Sequence, residues 1–209
     1  RRRRAGASIS PPDWPPPEPP EPPAATTDAY FDRMWSTGDD PWDHGGRWYE
    51  ARKYRLTVAA LPRRRYRRAF EPGCGTGLLT ALLAPRVDRL VACDRSARAV
   101  DVTRRRCADL AGVEVTRGRL PDGWPGGTFD LVVLSEVLYY LDDAQLDRAL
   151  AHTVASLDPH GHVVAVHYRQ PVAEHARLGD DVHERLATAL PELLVRHVED
   201  DFVLEVRAA

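Results

Sequence analysis

From Asp28 onward the apolar residues recur with two different periods. DAYFDRMW (28–35) and WYEARKYRLTVAAL (48–61) carry helical spacing, the second stopped by Pro62, with the loop-like STGDDPWDHGG (36–46) between them. After the basic turn PRRRYRR, the runs RAFEP, RLVACD, VEVTR, FDLVVLS and HVVAVH have apolar or β-branched centres and turn residues at their ends, which predicts strands. Helical patterns, TGLLTALLA, SARAVDVTRRRCADL and DAQLDRALAHTVASL, fall between most of them. Strands alternating with helices require right-handed crossovers and a parallel sheet covered on both faces, so the predicted fold class is a doubly wound α/β domain. Past the helix pattern DVHERLATAL, ELLVRHVE and DFVLEVRA stand about two residues apart and predict an antiparallel hairpin closing one sheet edge.

Residues 1–27 break this texture. PPDWPPPEPPEPPAATT holds too few aliphatic residues to build a core, and a disordered, solvated tail is expected, with a polyproline ligand as the alternative. The remaining 28–209 suffice for one ordinary domain.

Charge and cysteine usage narrow the partners. A formal net charge of -2 gives no basic field for nucleic acid or an anionic membrane, and the arginine runs RRRYRR and TRRRCADL read as solvated surface. Cys74, Cys93 and Cys107 lack disulfide or zinc-ribbon spacing, and no apolar run approaches the roughly 20 residues of a membrane span. A soluble, cytoplasmic, reduced protein is expected, from a GC-rich bacterial source given that Lys53 is the only lysine. His160, His162 and His167 have no acid beside them to complete a site, and HGH reads as a turn, so no metal is expected.

The segment FEPGCGTGLL (70–79) sets Gly73, Gly75 and Gly77 between an acid, Glu71, and a run of helix formers. Glycines there permit positive φ and let a ligand lie against backbone N–H groups where the first strand turns into its helix. A dinucleotide fold wants a small residue at 78, where Leu78 stands, and an acid at the head of the loop suits a cationic ligand better than a phosphate. Asp94, ending RLVACD, has the position of an acid that accepts hydrogen bonds from a ribose diol; it also fits a helix N-cap, as does Ser96.

The ordered set ExGxGxG, an acid after the second strand, and FDLVVLSEVLYYL resembles the class I S-adenosylmethionine-dependent methyltransferases from Asp28 onward. DPWDHGGRWYEARKY and VHYRQPVAEHARLGDDVH are similar to the nodulation protein S branch, whose namesake N-methylates the free amine of a deacetylated chito-oligosaccharide. The resemblance implies a Rossmann-like, mostly parallel sheet of seven strands with the last antiparallel, helices on both faces, and S-adenosylmethionine as cofactor. Glu71, Gly73, Cys74, Gly75 and Gly77 would line its methionine portion, Asp94 would hold the ribose with Arg95 and Ser96 beside it, and Arg119 and Leu120 would flank the adenine. Ser135 and Glu136 would face the sulfonium and the acceptor, while Trp42, Trp48, Tyr49 and Arg52 belong to a lid segment, 28–62. The implied partner is a small-molecule or saccharide-like acceptor, methylated at nitrogen.

An amine attacks only when neutral, so a carboxylate or imidazole at the acceptor is useful, and Glu136 and His167, each following a strand, are the catalytic candidates. Glu136 also fits the start of a helical turn, and His167 a strand cap. Tyr139 and Tyr140 suit core packing at least as well as stacking on an acceptor. Two rival readings remain at this stage, a nicotinamide-dependent oxidoreductase and a cofactor-binding protein that has lost its chemistry.

Overall fold

The structure, a computed structural model, describes residues 24–209. Residues 1–23 of the proline-rich segment lie outside the described residues, and the rest of it leads into the first helix, with the Thr26 N–H donating to the Tyr140 carbonyl at 2.9 Å.

Helices α1 (Asp28–Ser36) and α2 (Trp48–Ala59) precede the sheet. The strands are β1 (Tyr66–Pro72), β2 (Val87–Asp94), β3 (Val113–Arg117), β4 (Phe129–Ser135), β5 (Leu157–Tyr168), β6 (Glu192–Val198) and β7 (Phe202–Ala208). Helices α3 (Leu78–Leu83), α4 (Ala97–Arg106), α5 (Asp143–Ser156) and α6 (Gly179–Ala189) fill the crossovers. The sheet order is β3-β2-β1-β4-β5-β7-β6, with β7 antiparallel to both its neighbours and all other pairs parallel.

Burial on both faces explains why the strands read as continuous apolar runs. In β4, Leu131 and Val133 join the core layer that packs on α2 and α3, while Val132 and Leu134 join the layer under α5 and α6. The chain order reverses between β1 and β4, and a crevice opens there beyond the C-terminal strand ends.

The sequence reading needs one correction to the fold. HGH is not a turn, because β5 starts at Leu157 and runs through it; His160 takes a φ of 64°, and the pairing with β4 slips between Phe129 and Leu131. The turn-forming residues of DPHGH are absorbed as an irregularity within the strand. His162 then points inward, and its Nδ1 meets the Tyr66 hydroxyl at 2.8 Å.

Candidate active site

Beyond the ends of β1, β2 and β4 lies a cavity of about 860 Å³, roofed by α1, α2 and the loop between them. Its floor is the loop 72–76. Gly75 has a φ of 55°, and a Cβ added there would meet nothing closer than 3.9 Å, so the left-handed backbone and not crowding asks for glycine. Thr103 and Arg106 of α4 hold the loop from behind by donating to the carbonyls of Gly75 and Thr76 at 2.9 and 2.7 Å.

Asp94 ends β2 with its carboxylate at the cavity wall. Oδ2 accepts from the Gly75 N–H at 3.0 Å and Oδ1 from the Ser96 N–H at 2.9 Å, which leaves each oxygen a further lone pair for a ligand. Burial pushes this carboxyl up to about 6 despite those N–H groups. The N-cap of α4 is Ser96 and not Asp94, with the Ser96 hydroxyl accepting from the Ala99 N–H at 3.4 Å.

Glu71, 2% exposed, is pushed up to about 8 by burial, and its Oε2 has no hydrogen-bond partner. A buried carboxyl with a partnerless oxygen, opening onto a cavity, is costly by itself, and a cationic ligand group would relieve it. The loop, Glu71 and Asp94 together fit a ligand with an ammonium or sulfonium at one end and a diol at the other.

The roof is fastened by charge. Asp28 of α1 pairs with Arg95 and, at 3.2 Å, with Arg119, and the Arg95 guanidinium lies 4.5 Å over the Phe31 ring. Asp39 pairs with Arg98 and Arg105 of α4, each at 2.9 Å. Leu120, after β3, is buried at the same end of the cavity.

At the opposite end, Glu136 stands just past β4 with a φ of 53°. That left-handed backbone is unusual for a residue with a Cβ. Its Oε1 accepts from Lys53 Nζ at 2.5 Å, and its Oε2 accepts from the Tyr139 hydroxyl at 2.6 Å and the Tyr168 N–H at 2.9 Å. Burial opposes ionisation, but the Lys53 charge and these hydrogen bonds bring the carboxyl down to about 2. Tyr139 stacks on His175 with ring centroids 3.7 Å apart, so the tyrosine is both core and cavity wall.

Several expected residues lie elsewhere. His167 is fully buried and does not line the cavity; its Nε2 accepts from the Leu138 N–H at 3.4 Å, and its Nδ1 lies 3.2 Å from His183 Nε2. Burial, aided by His183, takes its pKa down to about 3, so it is a neutral support for the turn that carries Tyr139. Trp48 is 72% exposed, and Arg52 forks onto Glu199 at 2.7 and 2.6 Å; both sit on the outer side of α2 and outside the cavity. Gly77 also lies off the cavity: at a φ of 75° it starts α3, where a Cβ would come within 2.9 Å of Thr103. Of the remaining candidates, Glu71, Gly73, Cys74, Gly75, Asp94, Arg95, Arg119, Leu120, Ser135 and Glu136 are brought together around the cavity.

Sequence reasoning missed the residues whose partners are far along the chain. Lys53 is 83 residues from Glu136, and His175 sits in the loop between β5 and α6. The one available signal for Lys53 was its being the only lysine among 29 basic side chains.

Comparison with known proteins agrees with this geometry. A methyltransferase domain family matches residues 69–161. Nodulation protein S of Rhizobium tropici is 34% identical over 128 residues, which cover 60% of this chain and 54% of that protein, so the chain spans about half of that relative's length. A crystal structure described as a candidate methyltransferase from Pseudomonas syringae is 47% identical with a TM-score of 0.70, over 78% of this chain and 100% of that one. The N-methyltransferase NodS from Bradyrhizobium japonicum WM9, in complex with S-adenosyl-L-homocysteine, is 26% identical with a TM-score of 0.79, over 88% of this chain and 98% of that one. No helix among the described residues is long and apolar enough to cross a membrane. The strand order, the glycine loop with its two acids, and these likenesses converge: the chain is similar to nodulation protein S and belongs to the class I S-adenosylmethionine-dependent methyltransferases.

Proposed function

We propose that this protein transfers a methyl group from S-adenosylmethionine to a nitrogen of a small-molecule or saccharide-like acceptor. The observation that carries the reading is the division of one cavity into two chemically different ends, Glu71, Gly75 and Asp94 at one and Glu136, Tyr139 and His175 at the other. When bound, the cofactor supplies an electrophilic methyl carbon on a positively charged sulfur.

Each end then has a task. Asp94 grips the ribose diol with its two remaining lone pairs, and Glu71 loses its proton to meet the amino group of the methionine portion. Arg119 and Leu120 flank the adenine. Ser135 and Glu136 face the reacting centre, and the stacked Tyr139 and His175 offer the acceptor a flat wall. Orientation in such a cavity can lower a barrier by roughly 7–11 kcal/mol, and in-line methyl transfer asks for little else beyond exclusion of water. The N-methyltransferase likeness and the anionic Glu136 favour an amine over a phenol.

The test is a screen of amino sugars, small amines and phenols with isotopically labelled S-adenosylmethionine, read by mass spectrometry. Labelled N-methyl product from an amine is the expected result. Cofactor binding by calorimetry with no labelled product from any class would overturn the catalytic reading.

A further inference from the structure

The mechanism just proposed leaves one group unused. Lys53 is 2% exposed, and its ammonium sits 3.0 Å from Glu50 Oε2, 2.5 Å from Glu136 Oε1 and 4.8 Å from the centre of the Tyr49 ring. It is the only lysine in a chain whose other basic residues are all arginine. A compact ammonium fits a slot between two carboxylates that a planar guanidinium, with its fixed fork of donors, would not.

What the ammonium does there follows from counting lone pairs on Glu136. A carboxylate offers about four acceptor positions. Lys53, the Tyr139 hydroxyl and the Tyr168 N–H fill three, leaving one on Oε1 beside the cavity. Two carboxylates and one ammonium also leave the trio with a single net negative charge, which draws a cationic amine toward that last position.

We propose that Lys53 is a positioning residue: clamped between Glu50 and Glu136, it fixes the Glu136 carboxylate as a one-point anchor that orients the acceptor amine without taking its proton. The inference rests on the N-methylation reading above and adds the fate of the proton. The N–H bond of the acceptor ammonium breaks toward water, its electron pair stays on nitrogen, and the neutral amine remains hydrogen-bonded to Glu136. The surroundings agree. Burial disfavours the Lys53 charge, yet Glu136, Glu50 and Tyr49 hold the ammonium above its ordinary range, and Glu136 lies near 2. The other titratable groups that bear on the pair are Tyr139, Tyr140 and His167 on the Glu136 side, Tyr54 on α2, His44 from the roof, and His175 stacked on Tyr139. His44, His167 and His175 are all shifted downward, primarily by burial.

A lone lysine makes the test direct. Protein labelled with lysine at 15Nζ gives one side-chain ammonium signal, followed by NMR from pH 5 to 9 with S-adenosylhomocysteine bound, before and after adding glucosamine. The expected signal stays at the ammonium position throughout and moves when the amine is added. A signal that titrates within that range would overturn the proposal, since Lys53 would then be a base. In kinetics, wild type should follow the ionisation of the amine alone. Lys53→Met should bind S-adenosylhomocysteine within about twofold of wild type, lose about 10- to 100-fold in kcat/KM, the scale of an ångström's misplacement, and gain an acidic limb from the released Glu136. An unchanged rate and profile would overturn the proposal as well. Should Lys53→Met not fold, Glu50→Gln loosens the same clamp and is expected to lose several-fold in kcat/KM; full activity there counts against the idea. If wild type does not methylate glucosamine, the function reading fails for that amine while the NMR titration still decides the state of Lys53.

Discussion

Replacing Asp94 by Asn separates what the carboxylate does for the fold from what it does for the cofactor. In the free protein burial raises Asp94 from 3.8 to about 6. A folded-state pKa above the unfolded one means that ionisation opposes folding at neutral pH. Two units correspond to about 3 kcal/mol, absent below the unfolded value and fully present above pH 6. Asn removes that penalty. It also turns one oxygen into an NH2 that faces an N–H, Gly75 or Ser96, and orphaning that donor costs about 1–3 kcal/mol. The two effects nearly cancel, so the urea midpoint at pH 7 should scarcely move. The cofactor sees no such cancellation. A carboxylate on a diol makes two charge-assisted hydrogen bonds worth about 1.5–3 kcal/mol each, whereas Asn keeps one neutral acceptor. A net loss of about 2–4 kcal/mol weakens Kd by about 30- to 700-fold. Isothermal calorimetry with S-adenosylhomocysteine, alongside urea unfolding, measures both quantities. A folded variant with wild-type affinity would refute the ribose assignment, and a large stability loss would refute the cancellation.

Three further expectations follow from the site. Glu71, about 8 in the free protein, should release close to one proton when S-adenosylhomocysteine binds at pH 7, so the calorimetric heat should vary with the ionisation enthalpy of the buffer; heats independent of buffer would remove Glu71 from the ammonium contact. His167 is held neutral with its pKa lowered to about 3, so its contribution to stability is complete above the unfolded pKa of 6.5 and drains away as pH falls toward 3. Unfolding free energies between pH 4 and 8 should therefore slope less steeply in His167→Phe than in wild type, and parallel slopes would argue against a buried neutral imidazole. Glu136→Gln keeps one acceptor oxygen but loses the charge that draws the amine; kcat/KM should fall at least about tenfold while S-adenosylhomocysteine affinity holds, and full activity would take Glu136 out of the acceptor site.

How far the chain could be read depended on whether the deciding contact was local. VEVTR and FDLVVLS were bounded to the residue because the apolar run and the turn chemistry at each end agree. Glu71, Gly75 and Asp94 were legible for the same reason, since a strand end and a tight turn fix their place. On α2, hydropathy points the wrong way: Trp48 faces solvent and Lys53 faces the interior, because a carboxylate 83 residues away outweighs the cost of burying the ammonium. The expectation of Trp48 and Arg52 at the cofactor came from the family resemblance, which does not carry the phase of this helix, and Lys53 was passed over. His167 misled differently. It ends a strand at the site, but the alternation of β5 turns its ring to the α6 side, toward His183, and away from the cavity.

The position of β7 has a bearing on how the protein comes into being. A ribosome delivers β5, then β6, and only afterwards the strand that must slide between them, so the two earlier strands cannot zip up as they emerge. Until Phe202–Ala208 arrives, the flank of β5 remains open, with Val163, Val164 and Val166 lacking cover from one side. The sheet should therefore close only once β7 has emerged, and until then that unpaired flank is where a nascent chain would be most prone to stick to its neighbours.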